Sequence, residues 1–474
     1  MDLKLNAKQQ SAVDAALRGE NLALFGSGGT GKSTIVPHIV EQLQRNGQEV
    51  ILTASTGIAA SHIGGSTLHS VTGINCFCED CTATKSCTLK KHKHLLLERI
   101  HSSISKSYIV KKFWFKHGAL ARRLTLVIEE ISMISGALFE ALDHVSRELR
   151  DCKEPWGGIQ LIVVGDFLQL PPVNAEHYVF ETESWRDCKF TVVELTEIYR
   201  QSDREFIEVL QKVRYARCDE QVHSLLASRL HAKLDTSDGI LPTRLRPTNA
   251  EVDGINQREL ALLPGEAHSF TASIEARGPG RQDFLQSYAK KCMESLTCPQ
   301  DLRLKPGAQV LVTTNLDIKA GLFNGTRAVV VDVYSDTQVA IKTANGIEHV
   351  LEPFTFVFKN GQRSCIIKQI PLRLAWAITV HKSQGMSIDR LEVACGRSNF
   401  AASQIYVALS RARTLEGLTL TELDLTAVFV EPRVLRFYDS QRPVLRQQQL
   451  GEVLGKRTLT KGKNSNAKHL KVQH

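Results

Sequence analysis

The chain has 474 residues, of which 42% are hydrophobic and 23% charged, with a formal net charge of +9. That length exceeds what one hydrophobic core organises, so several domains are expected, and the composition excludes a collagenous or wholly disordered polymer. No apolar run reaches the roughly eighteen residues a membrane span needs, and "MDLKLNAKQQ" lacks the apolar segment of a secretory leader and gives no clear mitochondrial one.

Eleven scattered cysteines, an odd number, do not make a disulfide framework. The expectation is a soluble intracellular protein whose seven cysteines from Cys152 to Cys395 are reduced core residues. Positive charge is concentrated rather than spread. Lys85 to Arg123 carries a net +10, Arg433 to His474 a net +8, and the remainder is −9. Such clustering is the footprint of a polyanion-binding surface, although exposed solvated charge would account for either segment alone.

In chain order, the apolar run Leu22 to Phe25 predicts a buried strand and Ile35 to Leu43 has helical spacing, with "GSGGTGKS" (26–33) between them. A strand, a glycine loop and a helix in that order fit the phosphate-cradling pattern G-x-x-x-x-G-K-[ST], because glycines let backbone N–H groups converge on phosphate oxygens. Gly26, Ser27, Gly28, Gly29, Thr30 and Gly31 are therefore the predicted cradle. Lys32 is placed to reach the β and γ phosphates of ATP, and Ser33 to offer its hydroxyl to Mg²⁺.

"EVILTAST" (49–56), "RLTLVIEEISMIS" (123–135) and "IQLIVVGDFLQLPP" (159–172) predict further buried strands, and their alternation with helical stretches predicts a parallel sheet covered on both faces. Ligands bind at the carboxyl ends of such strands. There stand Glu129 and Glu130, one acid to hold hydrated Mg²⁺ and one to orient a water, and Gln169, suited to sensing a γ-phosphate. A helix N-terminus would also favour the paired acids. Between the second and third strands, "CFCEDCTATKSCTLKKHKH" holds Cys76, Cys78, Cys81 and Cys87 with His92 and His94. These could form a tetrahedral Zn²⁺ site or be reduced cysteines in a basic loop, since the spacing matches no standard pair-and-pair finger.

"ELTEIYRQ" (194–201) carries Arg200 and "QIYVALSRART" (404–414) carries Arg411 and Arg413. Arginine suits bidentate contact with phosphate. Between them, "LRPTNAEVDGINQ" (245–257) and "AWAITVHKSQGMSID" (375–389) suggest a second α/β nucleotide-binding fold without its own phosphate loop. Short strands with turns at Asn324-Gly325 and Asn345-Gly346 predict a β insertion within it.

This ordered series resembles the Pif (petite integration frequency) DNA helicases, in the 5′-to-3′ branch of helicase superfamily 1, from "LNAKQQSAV" to "YVALSRART". "LFEALDHVSRELR" (138–150) is similar to that family's signature helix. The resemblance implies two RecA-like domains. The first spans 1–200, with the basic insertion at about 74–123. The second spans 201–310 and 366–432, with an SH3-like β insertion at 311–365. A basic extension follows over 433–474, its low apolar content predicting disorder from about 455.

It implies Gln9 as the adenine contact, Gln384 and Gly385 as nucleotide contacts from the second domain, and Arg200 and Arg411 as arginine fingers. Thr67, His69, Thr248, Asn249, Thr379 and His381 are implied along single-stranded DNA, and Trp114 at a duplex junction. The first metal-motif acid, usually Asp in the family, is Glu129 here. Single-stranded and forked DNA are the implied partners, with G-quadruplex DNA among possible substrates, a monomer as the default state and no membrane. Roles in replication, repair, recombination or telomere maintenance follow, in the nucleus if the source is eukaryotic. A targeting extension before Gln9 is expected to be absent. Two other readings fit parts of the pattern: a DNA-stimulated NTPase or DNA-binding scaffold with hydrolysis impaired by Glu129, and a metabolic or signalling P-loop NTPase, which would not need the localised basic charge.

In "KSYIVKKFWFKHG" (106–118), Trp114 lies opposite Phe113 and Phe115 if the segment is extended, free to stack on an unpaired base. Trp114→Ala should lower unwinding of a forked duplex while leaving ATPase on single-stranded DNA intact. Equal loss of both, with a lowered melting temperature, would make Trp114 part of a small core.

Overall fold

The computed structural model describes residues 5–72, 124–172, 175–278, 281–294, 296–317, 319–360, 363–399 and 401–441. Cys76, Cys78, Cys81, Cys87, Trp114 and the tail from 442 onward lie outside them. Among the described residues, no group of three or more His, Cys, Asp and Glu side chains could hold a metal, and no helix is long and apolar enough to cross a membrane.

The first sheet contains β1 (Leu22–Gly26), β2 (Glu49–Ala54), β3 (Ser66–Thr67), β4 (Leu124–Glu129), β5 (Gln160–Gly165) and β6 (Thr191–Leu195). They run parallel in the order β3-β2-β4-β5-β1-β6. Period-two alternation splits the side chains between two cores. Leu22 and Leu24 pack with Ala12, Ile35 and Ile39 from the helices Ala7–Leu17 and Lys32–Arg45. Ala23 and Phe25 face the other way, toward Phe139 and Leu142 of the helix Gly136–Leu149 and toward Trp156 and Trp185.

A second parallel sheet has four strands in the order Ala377–Thr379, Thr243–Arg246, Leu391–Cys395, Leu418–Leu423. Its core takes Leu245, Ile378, Val393 and Leu420, covered by Phe206, Val209, Leu210 and Val213 of the helix Arg204–Arg214.

Between Thr243–Arg246 and Ala377–Thr379 stands a β module. It has a five-stranded antiparallel sheet reaching from Gln309–Val312 to Leu372–Leu374, a three-stranded sheet that includes Ser273–Arg277, and a pair formed by His268–Thr271 and Asp301–Leu304. It thus recruits strands on both sides of residues 311–365. Ser273–Arg277 alternates exposed with half-buried residues, so it shows no apolar run in the sequence. The Asn345-Gly346 turn closes the hairpin from Gln338–Thr343 to Glu348–Leu351, with Gly346 at φ 80°.

Of the seven cysteines from Cys152 to Cys395, all are free. Cys152 and Cys218 are only half-buried, so the expectation of core burial is corrected for those two. The last described helix, 432–441, returns to the first domain, where Val434, Phe437 and Tyr438 join the core around Phe25 and Phe167.

Candidate functional site

The glycine loop sits between β1 and the helix Lys32–Arg45, with Gly29 and Gly31 both in the left-handed region (φ 83° and 81°). Positive φ turns the backbone sharply enough to open the helix N-terminus toward a cleft, and the close quarters exclude side chains. A Cβ on Gly29 would lie 2.5 Å from Arg200 Cβ, and one on Gly28 would lie 3.2 Å from both Arg200 Nη1 and Arg411 Nη2. Two guanidiniums therefore crowd Gly28, and a third cation lies on the same loop. Lys32 Nζ donates to the carbonyls of Gly26 (2.7 Å) and Ser27 (2.9 Å).

Their supports come from both domains. Arg200 donates to the carbonyls of Ser410 (3.3 Å) and Gly385 (3.1 Å), and Arg411 to Val407 O (2.9 Å) and Ser410 Oγ (2.8 Å). Burial, with Arg200 alongside, pushes the Arg411 guanidinium down to about 9. Burial also lowers Lys32 and Arg200. A like-charge cluster under such strain is one that an anion would relieve. Arg413 stands outside it, at the surface with Asp389 (3.2 Å).

Opposite the cations are the acids. Glu130, at φ 54°, follows β4 in left-handed backbone that turns its carboxylate across to the second domain, where Gln384 Nε2 donates to Oε2 (2.9 Å). Burial raises Glu130, while Lys32 and Arg411 pull it back. The Ser33 hydroxyl stands close enough to Glu129 to lower its carboxyl, yet Glu129 Oε1 is buried with no hydrogen-bond partner. An orphaned carboxylate oxygen beside a hydroxyl is a donor set that fits Mg²⁺. Gln169 lines the same cleft, its amide 3.4 Å from Asp166 Oδ2.

Gln9 closes the far end of this cavity of about 440 Å³. It also serves in a capping box. Its Oε1 accepts from Asn6 N (3.0 Å) and its N–H donates to Asn6 Oδ1 (2.8 Å), which leaves Nε2 near Gly31 for a base. The structure therefore brings together Gln9, the 26–33 loop, Glu129, Glu130, Gln169, Arg200, Gln384, Gly385 and Arg411.

Two tyrosines escaped sequence reasoning. Tyr199, 60% exposed, presents its ring beside Gln9 and Gly31. Tyr406 accepts a hydrogen bond from Gly28 N (3.3 Å). Their signals were present, since Tyr199 directly precedes Arg200 and Tyr406 lies on the helix Gln404–Leu409 leading to Arg411.

The residues assigned to DNA are more dispersed. Thr67 ends β3, where its hydroxyl accepts from Ser70 N (3.2 Å), and Thr248 caps the helix that begins at Asn249. Thr379 ends its strand almost buried, its hydroxyl accepting from Lys382 N (3.3 Å). His69 and His381 are half-buried, and burial lowers both imidazoles, so they stay neutral near pH 7. These residues occupy carboxyl-end positions of the two sheets, and their hydroxyls are engaged locally.

Two parallel sheets facing one phosphate-loop cleft, with arginines supplied across it, define a P-loop motor ATPase of the RecA-like class. Comparison with known proteins makes this specific. The family model "AAA domain" matches residues 4–232, and "DNA helicase Pif1, 2B domain" matches 288–333. The ATP-dependent DNA helicase PIF1 of Xenopus laevis is 39% identical over 465 residues, covering 96% of this chain and 67% of the relative. The crystal structure of Pif1 helicase from Candida albicans is 30% identical with TM-score 0.69, over 92% of this chain and 99% of that one. A Pif1 helicase from Bacteroides in complex with ADP-AlF3 and ssDNA is 26% identical with TM-score 0.60, over 93% and 98%. The chain belongs to the Pif1 family of ATP-dependent DNA helicases. It spans about two thirds of the length of the curated relatives it matches.

The acids generate a pH prediction. Burial, then the neighbouring Glu130, pushes the Glu129 carboxyl up to about 7 in the nucleotide-free protein. In the unfolded chain it titrates near 4.3. The fold therefore binds more protons than the unfolded chain between those values, and stability falls as pH rises from about 4.3 to about 7, then stays level. Glu129→Gln should relieve this. In urea titrations with EDTA, its stability gain over wild type should be larger at pH 8 than at pH 5.5; an equal gain at both would show that Glu129 is not desolvated.

Proposed function

We propose that the chain hydrolyses ATP to translocate 5′ to 3′ along single-stranded DNA and to separate duplex and forked DNA. The observation that carries this reading is the meeting of Arg200, Arg411 and Gln384 with the glycine loop and Glu130. Nucleotide in that cleft would be felt by both sheets at once. Tyr199 would lie against the adenine that Gln9 reads, and Lys32 would leave its carbonyl partners for the β and γ phosphates.

Mg²⁺ would be held by Ser33 and, through water, by Glu129, and when bound supplies charge neutralisation of the phosphates. Glu130, held by Gln384, orients the water whose oxygen attacks the γ-phosphorus as the bond to ADP breaks. The two arginines and Lys32 stabilise the charge that spreads over the transferring group. Loss of the γ-phosphate removes the anion that offsets the repulsion between Arg200 and Arg411, which weakens the contact between the domains. Carboxyl-end residues on both sheets, Thr67 and His69 on one and Thr379 and His381 on the other, would take turns holding the strand.

The scaffold reading with impaired hydrolysis rests on Glu129 replacing Asp. It is set against by the orphaned Oε1 beside Ser33, a geometry that accommodates the metal. Single-stranded and forked DNA are the proposed substrates, G-quadruplex DNA a further one, and a monomer the proposed working form.

Lys32→Ala tests the whole. Single-stranded-DNA-stimulated phosphate release and forked-duplex unwinding should both fall to background while DNA affinity changes by no more than about twofold, since the lysine acts on transferring phosphate. Retained unwinding would end this reading. Wild-type phosphate release that DNA does not stimulate would favour the scaffold.

A further inference from the structure

Asp166, the residue after β5, is fully buried, and its carboxylate accepts from two side chains far along the chain, Arg214 and Tyr438, and from the nearby Gln169. Arg214 makes a two-pronged pair, Nε to Oδ2 at 3.0 Å and Nη2 to Oδ1 at 2.8 Å. Tyr438 donates its hydroxyl to Oδ1 at 2.9 Å while accepting from Phe167 N at 3.2 Å. The Gln169 amide lies at 3.4 Å. The Arg214 guanidinium also sits over the Tyr438 ring, 5.5 Å from its centroid.

The donors join the second domain, the C-terminal helix and the nucleotide cleft at one carboxylate. Arg214 ends the helix Arg204–Arg214, whose apolar face belongs to the second domain's core. Tyr438 belongs to helix 432–441, anchored on the first domain by Phe437, whose ring stacks 4.4 Å from Phe180, and by Arg433, which donates to Glu176 O at 2.7 Å. Gln169 faces the nucleotide cleft. Packing alone would need no hydroxyl on Tyr438, because phenylalanine would fill the same aromatic cluster. The hydroxyl is spent on the carboxylate that orients the sensor.

We propose that Tyr438 is a positioning residue for ATP hydrolysis: acting through Asp166, its hydroxyl holds Gln169 toward the γ-phosphate, so that docking of the C-terminal helix is a condition of turnover. The proposal rests on the reading of Gln169 as the γ-phosphate sensor. Without the Tyr438 hydroxyl, Oδ1 keeps Arg214 Nη2 and the Leu168 N–H (3.1 Å) but loses the donor from the C-terminal helix, so the carboxylate that faces Gln169 through Oδ2 is held less firmly.

The test uses the full chain, with Tyr438→Phe removing the hydroxyl alone, Phe437→Ala weakening the packing, and Gln169→Ala as reference. Tyr438→Phe should lower DNA-stimulated kcat about tenfold, the equivalent of one lost hydrogen bond, with the KM for ATP and the Kd for single-stranded DNA within about twofold. It should weaken binding of ADP with aluminium fluoride but not of ADP alone, as Gln169→Ala does, and the double variant should lose no more than Gln169→Ala. Phe437→Ala should lower Tm more than Tyr438→Phe and kcat less. Unchanged kcat in Tyr438→Phe, losses that multiply in the double variant, or a kcat loss that simply tracks Tm across Phe437→Ala and Tyr438→Phe would overturn the proposal. If Gln169→Ala itself leaves kcat and fluoride-complex affinity intact, the sensor reading fails separately, whatever Tyr438 does.

Discussion

Repulsion among cations gathered at the glycine loop organises this molecule. Around the glycine loop, Arg411 is fully buried and Lys32 and Arg200 half-buried, each giving its hydrogen bonds to main-chain carbonyls or a hydroxyl. Neutral dipoles satisfy donors but cancel little charge, so the arrangement is tolerable mainly because Glu129, Glu130 and Asp166 stand nearby. A polyphosphate brings the missing negative charge, and it can do so only when the pieces holding the cations are close together. Ligand binding and domain approach are thereby one electrostatic event, and the sheets, caps and glycine turns serve to hold the charges at that separation.

What could be read from the residues alone follows from how local the physics is. The glycine loop, Lys32 and Ser33 were legible because backbone conformation and phosphate chemistry are specified within eight residues. Glu129, Glu130 and Gln169 were legible because each stands at or just past the end of an apolar run that reads as a buried strand. Tyr406 was not, because its contact with Gly28 joins residues 378 apart and exists only after both sheets have formed. Asp166 stood in view in "IQLIVVGDFLQLPP" but carried no motif role. Its importance lies in partners at 214 and 438.

The β module shows the opposite difficulty. Its strands are short and its outer faces polar, so Ser273–Arg277 carries no hydrophobic signature, and the sheets extend beyond the range that apolar patterning suggested. Strand Thr191–Leu195 was missed for a different reason: Thr191, Val192 and Val193 favour a strand, but the run is short and leads straight into the segment that carries Arg200. For Ser273–Arg277, pairing with its neighbour rather than intrinsic preference makes the strand.

The stem of that module has a mechanical meaning. The flanking strands Thr243–Arg246 and Ala377–Thr379 are hydrogen-bonded to each other, Ala377 against Arg244. Across them, Asn256 clasps the backbone of Ala377 in both directions, donating to its carbonyl at 3.0 Å and accepting from its N–H at 2.9 Å. Over a hundred residues therefore leave and rejoin the sheet at one pinched point. Closing such a stem costs little more entropy as the loop above it lengthens, so the module is a graft that can be enlarged, trimmed or reshaped without unpicking the motor beneath. Whatever swing the second sheet makes during a cycle, a body clasped at its base transmits outward as the arm of a lever.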